Sequence, residues 1–137
     1  MNDSYALFGL RFYFIKQGFF RIDYTFDNES WVSQTFHQKR LQVKGEIQLY
    51  KWLYLRGGYS YGDSIYYDPV NPYMGKKCAT NFLASFTLIP GTVVHAGYES
   101  IYEERDWETV NSRPLDHNKM IQTRQSFFVK ASYLWRL

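Results

Sequence analysis

The stretch RLQVKGEIQLYKWLYLRGGYSYGDSIY, residues 40–66, decides the fold. Over its first ten residues the even positions are Arg40, Gln42, Lys44, Glu46 and Gln48, and the odd ones are Leu41, Val43, Gly45, Ile47 and Leu49. A helix would scatter these charges around its circumference. Successive strand residues point to opposite faces, so the period of two selects a β-strand with one apolar and one polar face. Tyr50-Lys51-Trp52 reverses the chain, which returns with Leu53, Leu55, Tyr59 and Tyr61 on one face and Arg56, Ser60, Gly62 and Ser64 on the other. The product is a long antiparallel hairpin, charged on one side.

The alternation continues in both directions. Residues 5–15 set Ala6, Phe8, Leu10, Phe12 and Phe14 against Gly9, Arg11 and Tyr13, and residues 19–27 set Phe20, Ile22, Tyr24 and Phe26 against Arg21, Asp23, Thr25 and Asp27. Beyond the hairpin, residues 78–89, 92–103 and 120–129 read as strands, with turns at Pro90-Gly91 and Lys130-Ala131 and an eighth strand beginning at Ser132. The connections 28–39, 68–77 and 104–119 are long and polar, and Pro69, Pro72, Gly75 and Pro114 break any regular structure there. The predicted fold is all-β: an antiparallel up-and-down meander of about seven to eight long strands, in a single segment over residues 1–137.

Which way the apolar face points separates the function classes. In a soluble barrel it fills the interior; in an outer-membrane barrel it meets lipid while the polar face lines the lumen. Short and long connections alternate along the chain, as expected of a meander crossing one bilayer, and strands of about ten residues suit such a barrel. Aromatic residues make up 20% of the chain, with thirteen Tyr, eleven Phe and four Trp, an excess that suits interfacial girdles. Phe14, Phe19, Phe20, Tyr50, Trp52, Tyr54, Phe127, Phe128 and Trp135 fall near short turns; Phe26, Trp31, Tyr59, Tyr61, Tyr66, Tyr67, Tyr98 and Tyr102 fall near long ones.

The net charge of +3 is spread through the strands, so no nucleic-acid footprint is expected. Cys78 is alone, which leaves no intrachain disulfide framework and reads as a bystander on an apolar face. No apolar run is long enough for a transmembrane helix, which says nothing against transmembrane strands. The expectation is part of a transmembrane β-barrel in a bacterial outer membrane, with the lipid bilayer as partner. Met1-Asn2-Asp3-Ser4 has no basic region or cleavage site, and closure needs at least about eight strands. Both points lead to the expectation of a segment truncated at both ends, from a longer precursor.

YGDSIYYDPVNPYMGKK (residues 61–77), together with GFFRIDYTFDNESWVSQTF (18–36) and ESIYEER (99–105), resembles the C-terminal barrel of large Gram-negative proteins. Those proteins begin with a carbohydrate-binding module of the family-nine type, followed by a membrane-associated domain of unknown function. The likeness covers most of the chain. It implies location and architecture, with polysaccharide reached through the parent protein, while sugar binding by the N-terminal module does not transfer to these residues.

The inward face collects Arg11, Arg21, Asp23, Arg40, Lys44, Glu46, Arg56, Glu99, Glu103 and Arg124 as lumen-lining residues. Charges of mixed sign there tune solute passage or rigidify the wall by cross-strand pairing. Tyr66, Tyr67, Asp68, Asn71 and Tyr73 form a loop with the aromatic and amide groups that grip sugars, although Asp68-Pro69 and Asn71-Pro72 are also ordinary turn chemistry. Glu103, Glu104, Asp106 and Glu108 lack the spacing of a calcium loop and read as a solvated cluster. His37 and His117 fall in predicted loops and His95 on a strand, with no nucleophile elbow and no paired-histidine zinc motif; Asp63, Asp68 and His117 lie where barrel rims can assemble Asp/His sites. No catalytic residue, metal or cofactor is expected. The competing classes are a soluble calycin-like barrel holding a small apolar ligand and a soluble sugar-binding sandwich.

Overall fold

The computed structural model describes residues 4–14, 17–31, 34–67, 72–104 and 120–134. Seven strands run in chain order: β1 (Ser4–Phe14), β2 (Gly18–Trp31), β3 (Gln34–Tyr50), β4 (Leu53–Tyr66), β5 (Tyr73–Ile89), β6 (Thr92–Glu103) and β7 (Ile121–Tyr133). They form one sheet in the order β1-β2-β3-β4-β5-β6-β7, every neighbouring pair antiparallel. The all-β meander read from the alternation is the observed fold. The sheet is a single open layer, with β1 and β7 as its edges.

Register carries the alternation across the whole sheet. One face stacks the rows Phe14–Gly18–Ile47–Leu55–Ala84–Ala96–Val129, Phe12–Phe20–Gly45–Gly57–Phe82–Tyr98–Phe127 and Leu10–Ile22–Val43–Tyr59–Thr80–Ser100–Gln125. A fourth row, Phe8–Tyr24–Leu41–Tyr61–Cys78–Tyr102–Gln122, follows on the same face. None of these positions is charged. Phe20 and Phe127, expected near short turns, share the second row with Tyr98, expected near a long loop, so that row crosses mid-sheet.

Three expected boundaries move. The connection 28–39 is mostly strand, because Asn28 pairs with His37, Glu29 with Phe36, Ser30 with Thr35 and Trp31 with Gln34. Each strand satisfies the other's backbone, which outweighs the low β-propensity of these polar residues. His37 therefore lies on β3. β5 likewise begins at Tyr73 instead of Cys78, since Tyr73 to Lys77 complete the ladder with Gly62 to Tyr66. Lys130-Ala131 is not a turn: it continues β7, with Lys130 opposite His95 and Ala131 opposite Val94. Neither residue favours a reversal, and β6 offers a partner as far as Thr92.

The short-turn end is tight. β3 and β4 are joined through Lys51-Trp52, and β5 and β6 through Pro90-Gly91, where Gly91 adopts φ 92°. Register shifts at Leu49 and Leu88 place one unpaired residue just before each turn. Backbone hydrogen bonds then tie each turn to the next strand: Gln48 N–H to Gln17 O (3.2 Å), Thr87 N–H to Trp52 O (2.9 Å) and Leu134 N–H to Gly91 O (2.7 Å). The bulge turns Tyr50 onto the apolar face opposite Leu53, and Tyr50 stacks on Trp52 with centroids 5.3 Å apart.

Candidate functional site

The face opposite the apolar rows holds every residue assigned to the lumen. Its rows are Tyr13–Phe19–Glu46–Arg56–Leu83–Gly97–Phe128, Arg11–Arg21–Lys44–Gly58–Asn81–Glu99–Ser126, Gly9–Asp23–Gln42–Ser60–Ala79–Ile101–Arg124 and Leu7–Thr25–Arg40–Gly62–Lys77–Glu103–Ile121. Arg21, Asp23, Arg40, Lys44, Glu46, Arg56, Glu99, Glu103 and Arg124 therefore share one surface.

Most of the carboxylates are held. Arg21 Nε lies 2.7 Å from Asp23 Oδ2, and Asp23 is only 4% exposed. It sits against Gly9 across the strand gap, in space that any side chain at Gly9 would occupy. Lys77 Nζ lies 3.1 Å from Glu103 Oε1, and Glu103 is equally covered. Tyr54 donates to Glu46 Oε2 at 2.9 Å. The Arg124–Glu99 pair, at 3.5 Å, is solvent-exposed enough to contribute little, and Ser126 approaches the same carboxylate.

The bases are less evenly matched. Arg11, Arg21 and Lys44 stand directly opposite one another across three strands, an arrangement of like charges that opposes pairing. Arg11 is stabilised over the Phe19 ring, 3.9 Å from its centroid. Arg40, Lys44 and Arg56 form no ion pair with any described residue. No sequence pattern separates these three from the paired bases; pairing depends on what register places diagonally across.

Two polar cavities lie on this face. One, of about 150 Å³, is lined by Arg40, Gln42, Ser60, Gly62, Ser64 and Lys77, with Tyr61 and Asp63 contributing from the strand between. The other, of about 170 Å³, is lined by Tyr5, Leu7, Thr25, Asp27, Gln38, Arg40 and Gln42. Arg40 and Gln42 are the wall between them.

The proposed sugar-contact residues are engaged with their neighbours. Tyr66 and Tyr73 pair at the ends of β4 and β5 and stack at 4.9 Å. Tyr67 meets Trp31 edge to face at 5.5 Å and donates to the Glu29 carboxylate at 2.9 Å. That hydrogen bond is the main reason its hydroxyl is held above the usual tyrosine range. Asp68 and Asn71 lie outside the described residues.

Of the acidic cluster, Glu103 pairs with Lys77 and Glu104 accepts the Lys76 N–H at 2.9 Å, while Asp106 and Glu108 lie outside the described residues, as does His117. Asp63 is on the apolar side, accepting the Lys39 N–H at 2.9 Å and pairing with Lys76. His95 Nδ1 is 2.8 Å from Ser85 Oγ, and His37 Nδ1 is 2.6 Å from Asn28 Oδ1. No group of three His, Cys, Asp or Glu side chains converges on a metal position among the described residues. No family model matches the chain, and no curated protein or solved structure is significantly similar to it.

Proposed function

We propose that the chain is part of the wall of a bacterial outer-membrane β-barrel, anchoring or passing solutes for a larger surface protein. The observation that carries this reading is a broad uncharged face with nothing packed on it: Phe82, on the interior strand β5, is 48% exposed, and Phe8 and Phe127 extend the same bare face to the two edge strands. A soluble sheet buries its apolar face.

Magnitudes support the same choice. From Leu53 to Tyr61 the uncharged band runs about 26 Å along the strand, at roughly 3.3 Å per residue. Six interstrand gaps of about 4.8 Å make it about 29 Å wide. The product, roughly 750 Å², exceeds the few hundred Å² that monomeric soluble proteins leave bare. At a tilt of about 40° that length projects to roughly 20 Å on the membrane normal, of the order of the apolar band of an outer-membrane barrel, about 25 Å. Beyond it Lys39, Asp63 and Lys76 bring charge onto the same face, as a headgroup boundary would require.

In lipid both open edges must be paired. β1 and β7 run in the same direction, being odd-numbered strands of an alternating meander. Joining them, in one copy or head to tail between copies, would be parallel. Antiparallel closure takes an odd number of further strands, in keeping with the even totals of bacterial outer-membrane barrels. The likeness of residues 18–36, 61–77 and 99–105 to Gram-negative barrels attached to a carbohydrate-binding module fits such a parent, through which polysaccharide would be the partner.

The test is detergent dependence with tryptophan quenching by brominated lipids. The chain should aggregate in buffer, become monodisperse in detergent and show quenched tryptophan fluorescence in vesicles. A monodisperse chain in detergent-free buffer, unquenched by vesicles, would overturn the membrane assignment and favour the soluble barrel.

A further inference from the structure

We infer that the cavity over Gly62 is a binding site for an oxyanion, the sulfate, phosphate or carboxylate group of a solute, with Arg40 as its anchoring cation. Three observations converge there. Arg40 stands between Thr25 on β2 and Gly62 on β4, neither of which carries a charge that could neutralise it. The guanidinium makes no ion pair or hydrogen bond with a described residue. Gly62 lines the cavity and places no side chain between Arg40 and Lys77, whose backbones lie two strands, or about 10 Å, apart.

The lining supplies donors of the right kind. Gln42 and the hydroxyls of Ser60 and Ser64 complete the cavity, whose 150 Å³ equals about five liquid waters, room for a four-oxygen anion and some of its hydration. Carboxylates near the cavity are spoken for: Glu103 holds Lys77, and Asp63, which also borders it, accepts the Lys39 N–H and pairs with Lys76. Asp27 belongs to the neighbouring cavity beyond Arg40. Arg40 is the cation of this cavity that no described carboxylate pairs, and a guanidinium fork matches a planar or tetrahedral oxyanion in two parallel hydrogen bonds. Gly62 is itself held by close packing, because a Cβ there would lie 2.6 Å from the Arg40 Cα.

The inference deepens the barrel-wall reading by naming the class of solute, and it rests on that reading only for the solute's route to the site. Sulfate and acetate titrations of the full chain in nonionic detergent, followed by NMR of the arginine Nε–H and serine amide signals, test it. Saturable shifts at Arg40, Ser60 and Ser64 are expected. Arg40→Gln should weaken sulfate binding about tenfold or more, Arg40→Lys less, and Lys44→Gln hardly at all. Equal, non-saturating shifts at Arg40, Lys44 and Arg56 would overturn it, as would an unchanged affinity in Arg40→Gln. If Arg40→Gln does not fold, Ser64→Ala, which removes only one donor, should still weaken binding, and unaltered binding there sinks the site. A chain that proves soluble without detergent yet binds sulfate at Arg40 would separate failure of the membrane reading from failure of this one.

Discussion

The same strands end differently at the two ends of the sheet. At the short-turn end the apolar face stays apolar to the last pair, Tyr50 against Leu53, and the turns are bulged and tied by backbone hydrogen bonds to the next strand. At the other end β2, β3, β4 and β5 run on past the apolar rows, and the face that held Tyr24, Leu41, Tyr61 and Cys78 next presents Lys39, Asp63 and Lys76. Periodicity alone makes each strand amphipathic. Only the alignment of β3, β4 and β5 shows charge entering the apolar face at one level, as the proposed membrane boundary requires, while β2 holds Phe26 there.

The sharpest way to break this comparison is a charge inside the band. Val43→Arg should cost about 2–4 kcal/mol in urea unfolding from lipid vesicles, the range for arginine near the midplane of a barrel's lipid face. Gln42→Arg, one residue away on the charged face, should stay within about 0.5 kcal/mol, and Lys39→Arg beyond the band likewise. Equal costs at Val43 and Gln42 would mean that the apolar face does not meet lipid.

Next in size is the boundary itself. Asp63 is buried and serves both the Lys39 N–H and Lys76, so Asp63→Ala strands a backbone donor and a cation together. A loss of about 1–3 kcal/mol is expected, held to the lower part of that range because the Lys76 side chain is 41% exposed. Hydrogen exchange at the Lys39 amide should accelerate while the Val43 amide is unaffected. Unchanged exchange at Lys39 would show that Asp63 does not hold that end of β3.

Much of this was legible in the residues. Period two placed Arg21, Lys44, Glu46 and Glu99 on one face before any register was known, but the end of the band was not legible, because Lys39 falls in a stretch that reads as a polar connection. The bulges at Leu49 and Leu88 were not legible, because one unpaired residue shifts the phase without changing composition. Residues 28–31 and 34–39 look like a loop by propensity and are strand because each side of the hairpin completes the other. That Arg40 has no ion-pair partner among the described residues was hidden for a related reason: whether an arginine is paired depends on the neighbouring strand, and there Gly62 stands opposite it.

A smaller effect probes the tight end. Gly91 at φ 92° follows Pro90 in the two-residue turn, the position where a left-handed residue is needed after proline. Gly91→Ala should cost about 1 kcal/mol, from the contact of Cβ with the following carbonyl. The measurement is the same vesicle unfolding, and Pro90→Ala, which keeps Gly91, should cost less. A Gly91→Ala loss no larger than that of Pro90→Ala would mean that the turn is not what fixes the β5–β6 register.

The smallest effect lies beyond the charged boundary, where Tyr67 leaves β4 and donates to Glu29 on β2. Its pKa is raised above the ordinary value of 10.0 first by that hydrogen bond, then by burial and by the Glu29 and Asp27 charges, against a lowering by Arg40. The protonated phenol is the form that bonds. Its contribution to stability is therefore fully present below the ordinary tyrosine pKa and is lost as pH rises through the higher folded value. Ultraviolet titration of the chain against its Tyr67→Phe variant should assign a late ionisation to Tyr67, and Glu29→Gln should move it back toward its ordinary value without altering unfolding at neutral pH by more than about 0.5 kcal/mol. Because Arg40 acts on Tyr67 in the opposite sense, Arg40→Gln should push that late ionisation later still. A shift in the other direction would show that Arg40 and Tyr67 do not share one electrostatic neighbourhood at this end of the sheet.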